Sequence, residues 1–549
     1  MSIKNIIKKT EPYAWLIVLF VVSLVYILDP RFFTNPPLRS DDWNMLVEPR
    51  VFGSFSLVDL ANRRPFMMAL YALVSPIFQL HITLYYVLNW LLILASSVVV
   101  YGIVHSAFER YRWLALPTAL VFLIYPANYA RTWLVIQINT FALLLALIAI
   151  WLIVRYLKSG KAWKLVLANI LILLSLGTYE AGLGLILATG LAVLILAWSA
   201  PLKRRLWTQT AALTAALFVL WRAVLQPLVL NVSDDYLAST TFSIAVLLER
   251  FVQGAFIFLF NWLGPLLLKF QDAKYGVFLG IVLLIVVIYL VLAWPKLKRL
   301  RTGESEAISD RKAKISDLFS ISLLGLIFWA AGYIPVIFLY QPIFYGDGSR
   351  VNFAAIPGAS LALVALLSAL IAILIENQAT LKKGVFVAVI PLVVLGVAYQ
   401  CHNQNVRFQV WRQNEDFWNQ MFTLVPGIES ETKVVIVIPG YQKLEPFELM
   451  PFRGDWEAEA ALRVLYNDDS LFAEYYYQDT PNLADNWVPE SCDLERFIFV
   501  FYDPQTTQIR LIDDPSSAID FPCEVLNYHW AERLIDFEEG MGAYRWLVE

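Results

Sequence analysis

Positive charge recurs on every second connection between the apolar runs of this chain, and that alternation constrains the fold more than any single motif. Runs that read as membrane spans occupy residues 13–29, 82–105, 113–126, 138–156, 163–178, 180–198, 205–229, 276–294, 317–341, 352–376 and 384–401. A spanning helix needs about 20 mostly apolar residues, and Lys and Arg are retained on the cytoplasmic side. Lys4, Lys8 and Lys9 precede the first run. Arg110 with Arg112, Arg155 to Lys164, Lys203 to Arg205, Lys296 to Lys314, and Lys382-Lys383 fall between later ones. With these spans, every basic cluster is cytoplasmic, as is the N-terminus, and the C-terminal segment lies outside. The expected fold is an α-helical polytopic membrane protein of about 11 transmembrane helices.

Two further apolar stretches, 66–80 and 243–268, must not cross if the alternation holds. The first is short and is followed by His81 rather than by a basic loop. The second carries Glu249-Arg250 near its start and Asn261, Gly264 and Pro265 inside it. Both read as half-helices in the outer interface. A thirteen-span arrangement keeps the C-terminal segment on the same side.

Composition divides the chain in two. Charged residues are 16% of the whole, against about 25% in globular proteins, and 59% of residues are hydrophobic. Residues 401–549 hold 10 Lys/Arg and 27 Asp/Glu, a net −17, while 1–400 hold 32 and 18, a net +14. The expected domains are a transmembrane unit, 1–401, with a first external loop at 30–81, and an acidic extracytoplasmic unit, 402–549. The acidity of the second argues against nucleic acid as a partner. It opens on an amphipathic helical pattern at 411–424. Strand-like runs follow at 434–438, 497–502 and 508–512, with a helical pattern at 457–466, which makes a small soluble α/β domain. No small-residue cleavage site follows the first apolar run, so it reads as a retained anchor. Of the three cysteines, Cys492 and Cys523 are able to pair if the tail is outside, or to remain two thiols.

On this topology the polar constellations gather on the outer side. Asp41-Asp42-Trp43 sits in the first external loop, where a carboxylate at the bilayer edge can take a proton from a hydroxyl and its neighbour can raise its proton affinity. Alone, the pair also reads as a solvated turn at a helix start. Arg63, Arg64, Arg131 and Arg350 each stand at the end of an apolar segment on the side where basic residues are uncommon. A guanidinium there suits a lipid-linked phosphate, or snorkels to headgroups. Tyr179-Glu180 lies between two apolar runs, where a glutamate faces a cavity or caps a turn. Asn128, Gln137 and Asn139 are able to bond a sugar or to tie helices together. No phosphate-binding loop, nucleophile elbow, zinc-protease helix or dinucleotide fingerprint is present.

In order along residues 1–400, these short motifs resemble the GT-C superfamily of integral-membrane glycosyltransferases, such as protein O-mannosyltransferases and aminoarabinose transferases. The resemblance is carried by Asp41-Asp42-Trp43, Arg64-Pro65-Phe66, His81 with Asn89, the aromatic-proline turn Tyr125-Pro126, Tyr179-Glu180 and Ser349-Arg350. It departs from the O-mannosyltransferases in having no acid near Tyr129-Ala130 and no tetratricopeptide pattern in the tail. The resemblance implies inverting transfer of a sugar from a polyprenyl-phosphate donor to an acceptor, a glycan, lipid or protein, on the outer face of a bacterial cytoplasmic membrane. It implies Asp41 or Asp42 as general base and Arg350, with Arg64 or Arg131, on the donor phosphate. Trp43, Arg63, Asn128, Tyr179 and Glu180 are implied around the sugar or acceptor. Some superfamily members use a divalent cation, Mg or Mn, for which Asp41 and Asp42 are the candidate ligands here. The competing expectations are a transporter or flippase of a lipid-linked glycan, and a non-enzymatic membrane scaffold.

Overall fold

The computed structural model describes residues 14–27, 29–38, 42–43, 66, 69–199, 204–220, 244–263, 306–337, 342–343, 347–438, 455–477, 496–503 and 506–512. The expected span at 276–294, the residues Asp41, Arg63 and Arg64, and the cysteines 492 and 523 lie outside them. The described helices are α1 (Ala14–Ser23), α2 (Ala69–Phe78), α3 (Ile82–Ala107), α4 (Ala115–Ile124), α5 (Gln137–Ser159), α6 (Ala162–Thr178), α7 (Leu183–Ser199), α8 (Arg204–Val219), α9 (Ile244–Phe260), α10 (Glu306–Ile337), α11 (Ile356–Leu374), α12 (Gln378–Leu424) and α13 (Asp455–Tyr466). The strands are β1 (Lys433–Ile438), β2 (Phe472–Tyr477), β3 (Phe497–Asp503) and β4 (Gln508–Leu511).

Among the described residues, five helices are long and apolar enough to cross a membrane: Ile82–Ala107, Gln137–Ser159, Arg311–Pro335, Ser349–Leu374 and Gln378–Leu424. The helix is the form that satisfies every backbone group of such a segment without water. Shorter apolar helices run over Ala14–Tyr26, Ala162–Thr178 and Leu183–Val193. α2, with 10 residues, is about 15 Å long, half of a ~30 Å hydrocarbon core. The 243–268 stretch forms a longer helix, α9, of 17 residues. Its Arg250 is accommodated because Nη1 donates to the Ile337 carbonyl at 2.6 Å, in the last turn of α10, where helix carbonyls lack intrahelical partners.

Backbones approach closely where the packing helices carry glycine. A Cβ on Gly325 of α10 would lie 2.5 Å from the Ala362 nitrogen of α11, and one on Gly332 would lie 2.6 Å from the Ala354 carbonyl oxygen. Small residues at such crossings replace the hydrophobic drive that lipid removes. The bundle has two distinct ends. One carries ion pairs between basic connections and acids: Lys158–Glu109 at 2.5 Å, Arg110–Asp317 at 3.3 Å and Arg311–Glu376 at 2.9 Å. The other end carries the sheet and the irregular segments described below.

The sheet has the order β2-β1-β3-β4, with β1 parallel to β2 and β3, and β4 antiparallel to β3. α13 provides the crossover between β1 and β2. β2, Phe-Ala-Glu-Tyr-Tyr-Tyr, was not among the expected strands, although four of its six residues are strand-favouring aromatics; it pairs in parallel with β1. No break marks the change of composition at residue 401, because α12 runs through it for 47 residues, about 70 Å. Its outer turns share one buried apolar cluster with Phe32, Leu38, Trp43 and Tyr71 on one side and Val434, Ile436, Ile498 and Val500 of the sheet on the other. The segment carrying Phe32, Leu38 and Trp43, the short helix α2 and the C-terminal sheet therefore have a common core.

Candidate functional site

Pro126 ends α4, because a residue before proline is pushed out of the helical region; Tyr125 sits at φ −56°, ψ 126°. The chain then runs irregularly to Gln137, where α5 begins, and these residues are buried. Buried backbone groups need partners, and here distant side chains provide them. Asn261 Nδ2 donates to the Pro126 carbonyl at 2.6 Å, Asn352 Nδ2 to Ala127 at 2.7 Å, and Asn89 Nδ2 to Arg131 at 3.0 Å. Arg407 Nη1 donates to the Thr132 carbonyl at 2.6 Å and the Tyr71 hydroxyl to Leu134 at 2.7 Å. The Ala130 N–H donates to Ser349 Oγ at 3.1 Å. One loop is thus held by α2, α3, the segment after α9, the segment before α11, and α12.

Asp42 reaches the same loop. Its Oδ1 accepts the Val135 N–H at 2.9 Å and its Oδ2 lies 3.0 Å from Arg407 Nη2, with both side chains almost wholly buried. Arg407 also donates to the Pro37 carbonyl at 3.3 Å and to the Tyr86 hydroxyl, which itself donates to Pro37. Burial pushes the nearby Tyr71 phenol well above its ordinary pKa, and the Asp42 charge adds to that rise. A carboxylate with both oxygens engaged and no contact with water is a clamp rather than an open base. The reading of the acid pair as a solvated turn does not hold for Asp42. Trp43 is equally buried and packs 6.1 Å from Trp411, ring centre to ring centre, so it joins the loop to α12 rather than facing an interface.

Arg131, expected on a phosphate, is 5% exposed, and its Nη1 donates to the Phe122 and Leu123 carbonyls at 2.9 Å. It closes the end of α4, where helix carbonyls lack partners, and this leaves it poorly placed for a ligand. Arg350 is half-buried in the tight helix Asp347–Ala355, beside Ser349 and thus beside the loop. Glu180 opens the short helix Glu180–Gly182, which packs against Asp347–Ala355; the ring of Tyr179 lies 6.0 Å from that of Phe353. The Phe66 N–H donates to the Gly177 carbonyl at 2.9 Å, which brings the end of the Arg64-Pro65-Phe66 element onto the same turn. Asn128 is buried in the loop. Gln137 does tie helices: the Tyr71 hydroxyl donates to its Oε1 at 3.3 Å, and its Nε2 donates to the Tyr85 carbonyl.

Among the described residues no group of three or more His, Cys, Asp or Glu side chains gathers. Asp42, facing a guanidinium, does not fit the role of a cation ligand, since a second positive charge would be repelled there. Arg407 and Asn352 were missing from the sequence-based site, and Ser349 entered it only as the neighbour of Arg350. The one signal for Arg407 was a buried-type position carrying charge within the amphipathic pattern of α12. No protein-family model matches the chain, and no curated protein sequence does.

Proposed function

We propose that this chain transfers a sugar from a polyprenyl-phosphate carrier to an acceptor hydroxyl at the end of the bundle that bears the sheet, the extracytoplasmic side. The observation that supports this reading is the convergence of three short helical turns, Tyr129–Thr132, Glu180–Gly182 and Asp347–Ala355, on the end where the first external loop is clamped. They bring Asn128, Tyr179, Glu180 and Arg350 from sequence-distant segments to one place. The topology of about eleven spans, cytoplasmic N-terminus and outer C-terminal domain belongs to the same proposal.

In this scheme Arg350, with Arg64, holds the departing phosphate by paired charge-assisted hydrogen bonds. Asp41 takes the proton of the acceptor hydroxyl as the oxygen attacks the sugar carbon and the carrier phosphate leaves. Asp42 and Arg407 act behind it, fixing the loop that carries Asp41. Glu180, half-buried on the adjoining turn, lines the acceptor side. The test is reconstitution of the full chain in bilayers with polyprenyl-phosphate sugars. Release of polyprenyl phosphate is the expected result, and its absence with every donor and acceptor supplied counts against the assignment.

A further inference from the structure

Around the 125–132 loop several buried side-chain amides have unused hydrogen-bonding atoms. Both the oxygen and the nitrogen of Gln400 and of Asn403, and the Oδ1 atoms of Asn128 and Asn89, have no partner among the described residues. Their residues are 0%, 2%, 1% and 2% exposed. Buried polar groups are ordinarily paired, so a concentration of this kind marks a place where something polar sits.

The geometry of α12 gives the direction. Gly396, Gln400, Asn403 and Arg407 follow one another at spacings of four, three and four, and so share a helix face. A Cβ on Gly396 would lie 2.6 Å from the Ile124 carbonyl oxygen, and Arg407 reaches Thr132. The two amides between them therefore face the intervening loop. Gln404, on the next position, donates to the Val25 carbonyl at 2.8 Å, so this turn of α12 looks inward and not to lipid.

The chemistry of the group selects its occupant. The amides are uncharged and present donors and acceptors together, which suits hydroxyls, whereas a phosphate calls for cations or donors alone. Resting on the proposed function, we propose that Gln400 and Asn403, with Asn128 and Asn89, receive the hydroxyl groups of the carrier-linked sugar, while its phosphate lies on the Arg350 side of the same loop. The site takes a neutral polyhydroxyl group at the outer end of the last apolar run.

The experiment measures binding of decaprenyl phosphate bearing glucose, mannose or arabinose, and of bare decaprenyl phosphate, to the full chain in nanodiscs. The wild type is expected to bind at least one sugar-bearing carrier more tightly than the bare one. Gln400→Leu and Asn403→Leu are expected to shrink that gap by about tenfold or more, because a site built for hydroxyls loses most when its partners are removed. Binding of the bare carrier stays as in the wild type. If the leucine variants do not fold, Gln400→Ala and Asn403→Ala, which keep room for water, are read in the same way. A gap unchanged in the folded variants, or no wild-type gap with any of the three sugars, overturns the inference and leaves the amides holding water. Donor turnover with an unchanged gap sinks this inference alone; a variant-sensitive gap without turnover sinks the transfer reaction and leaves the sugar site.

Discussion

Arg407 and Asp42 are 365 residues apart in sequence and 3.0 Å apart in the structure. The pair joins the segment after α1 to α12, and neither side chain has water to fall back on. Removing one partner leaves the other charge buried, which costs about 3–5 kcal/mol. Arg407→Met and Asp42→Asn are each expected to lower the free energy of unfolding in detergent by an amount of that order, seen as a lower denaturation midpoint. The double variant should recover a part of it. Arg407→Lys should not, since one ammonium cannot serve Asp42, Thr132 and Pro37 together.

The proposed reaction gives the two aspartates different roles. Asp41→Asn is expected to abolish release of polyprenyl phosphate with the melting temperature unchanged. Asp42→Asn is expected to lower both, with residual turnover. Full turnover in both single variants and in the double variant would remove the acid pair from the mechanism.

Helix crossings without room for a side chain give a control remote from the chemistry. Gly325→Val introduces a branched side chain against the α11 backbone, and overpacking of this kind costs about 1–3 kcal/mol. Folded yield and melting temperature should fall together, and the affinity for a donor among the surviving molecules should not change.

The C-terminal unit has an acid-sensitive turn at Asp468. Burial pushes the Asp468 carboxyl upward, but the hydroxyls of Ser430 and Ser470, the Ser470 N–H and Arg463 more than offset this, so its pKa is lowered. A lowered folded pKa contributes stability that is present above the ordinary carboxylate value of 3.8 and lost as pH falls through the folded value. Tail unfolding followed by tryptophan fluorescence should therefore become easier on acidification below pH 3.8, and Asp468→Asn should flatten that dependence.

The two ends of the bundle can be told apart from outside the cell. In a cysteine-free background, Lys161→Cys lies in the turn between α5 and α6, and Thr507→Cys lies in the turn between β3 and β4. An impermeant maleimide is expected to label the second in intact cells and the first only after lysis. The opposite pattern inverts the topology and takes the proposed extracytoplasmic reaction with it.

Hydropathy reads helices well because a membrane segment has one conformation open to it. The runs at 82–105, 138–156 and 163–178 became α3, α5 and α6 with ends within a few residues. Arg350, Tyr179 and Glu180 were visible as polar residues at span ends, and the short helices at those ends, Glu180–Gly182 and Asp347–Ala355, pack against each other. The role of Arg131 was not visible, because a guanidinium that caps carbonyls and one that awaits phosphate look alike in sequence. The partner of Asp42 was not visible for a similar reason: Arg407 lies across nearly the whole chain, and local pattern carries no trace of it. The division at residue 401 followed composition, whereas the backbone follows helix propensity, and no glycine or proline interrupts α12 there.

One continuous helix couples the segments packed along it. Since α12 carries Gln400, Asn403 and Arg407 on one stretch and Phe417, Trp418 and Phe422 in the apolar cluster shared with the sheet on the next, a displacement of the sheet is transmitted toward the contacts of Asp42. The acidic domain is in that sense the handle of the site, and whatever grips it has a lever on the membrane.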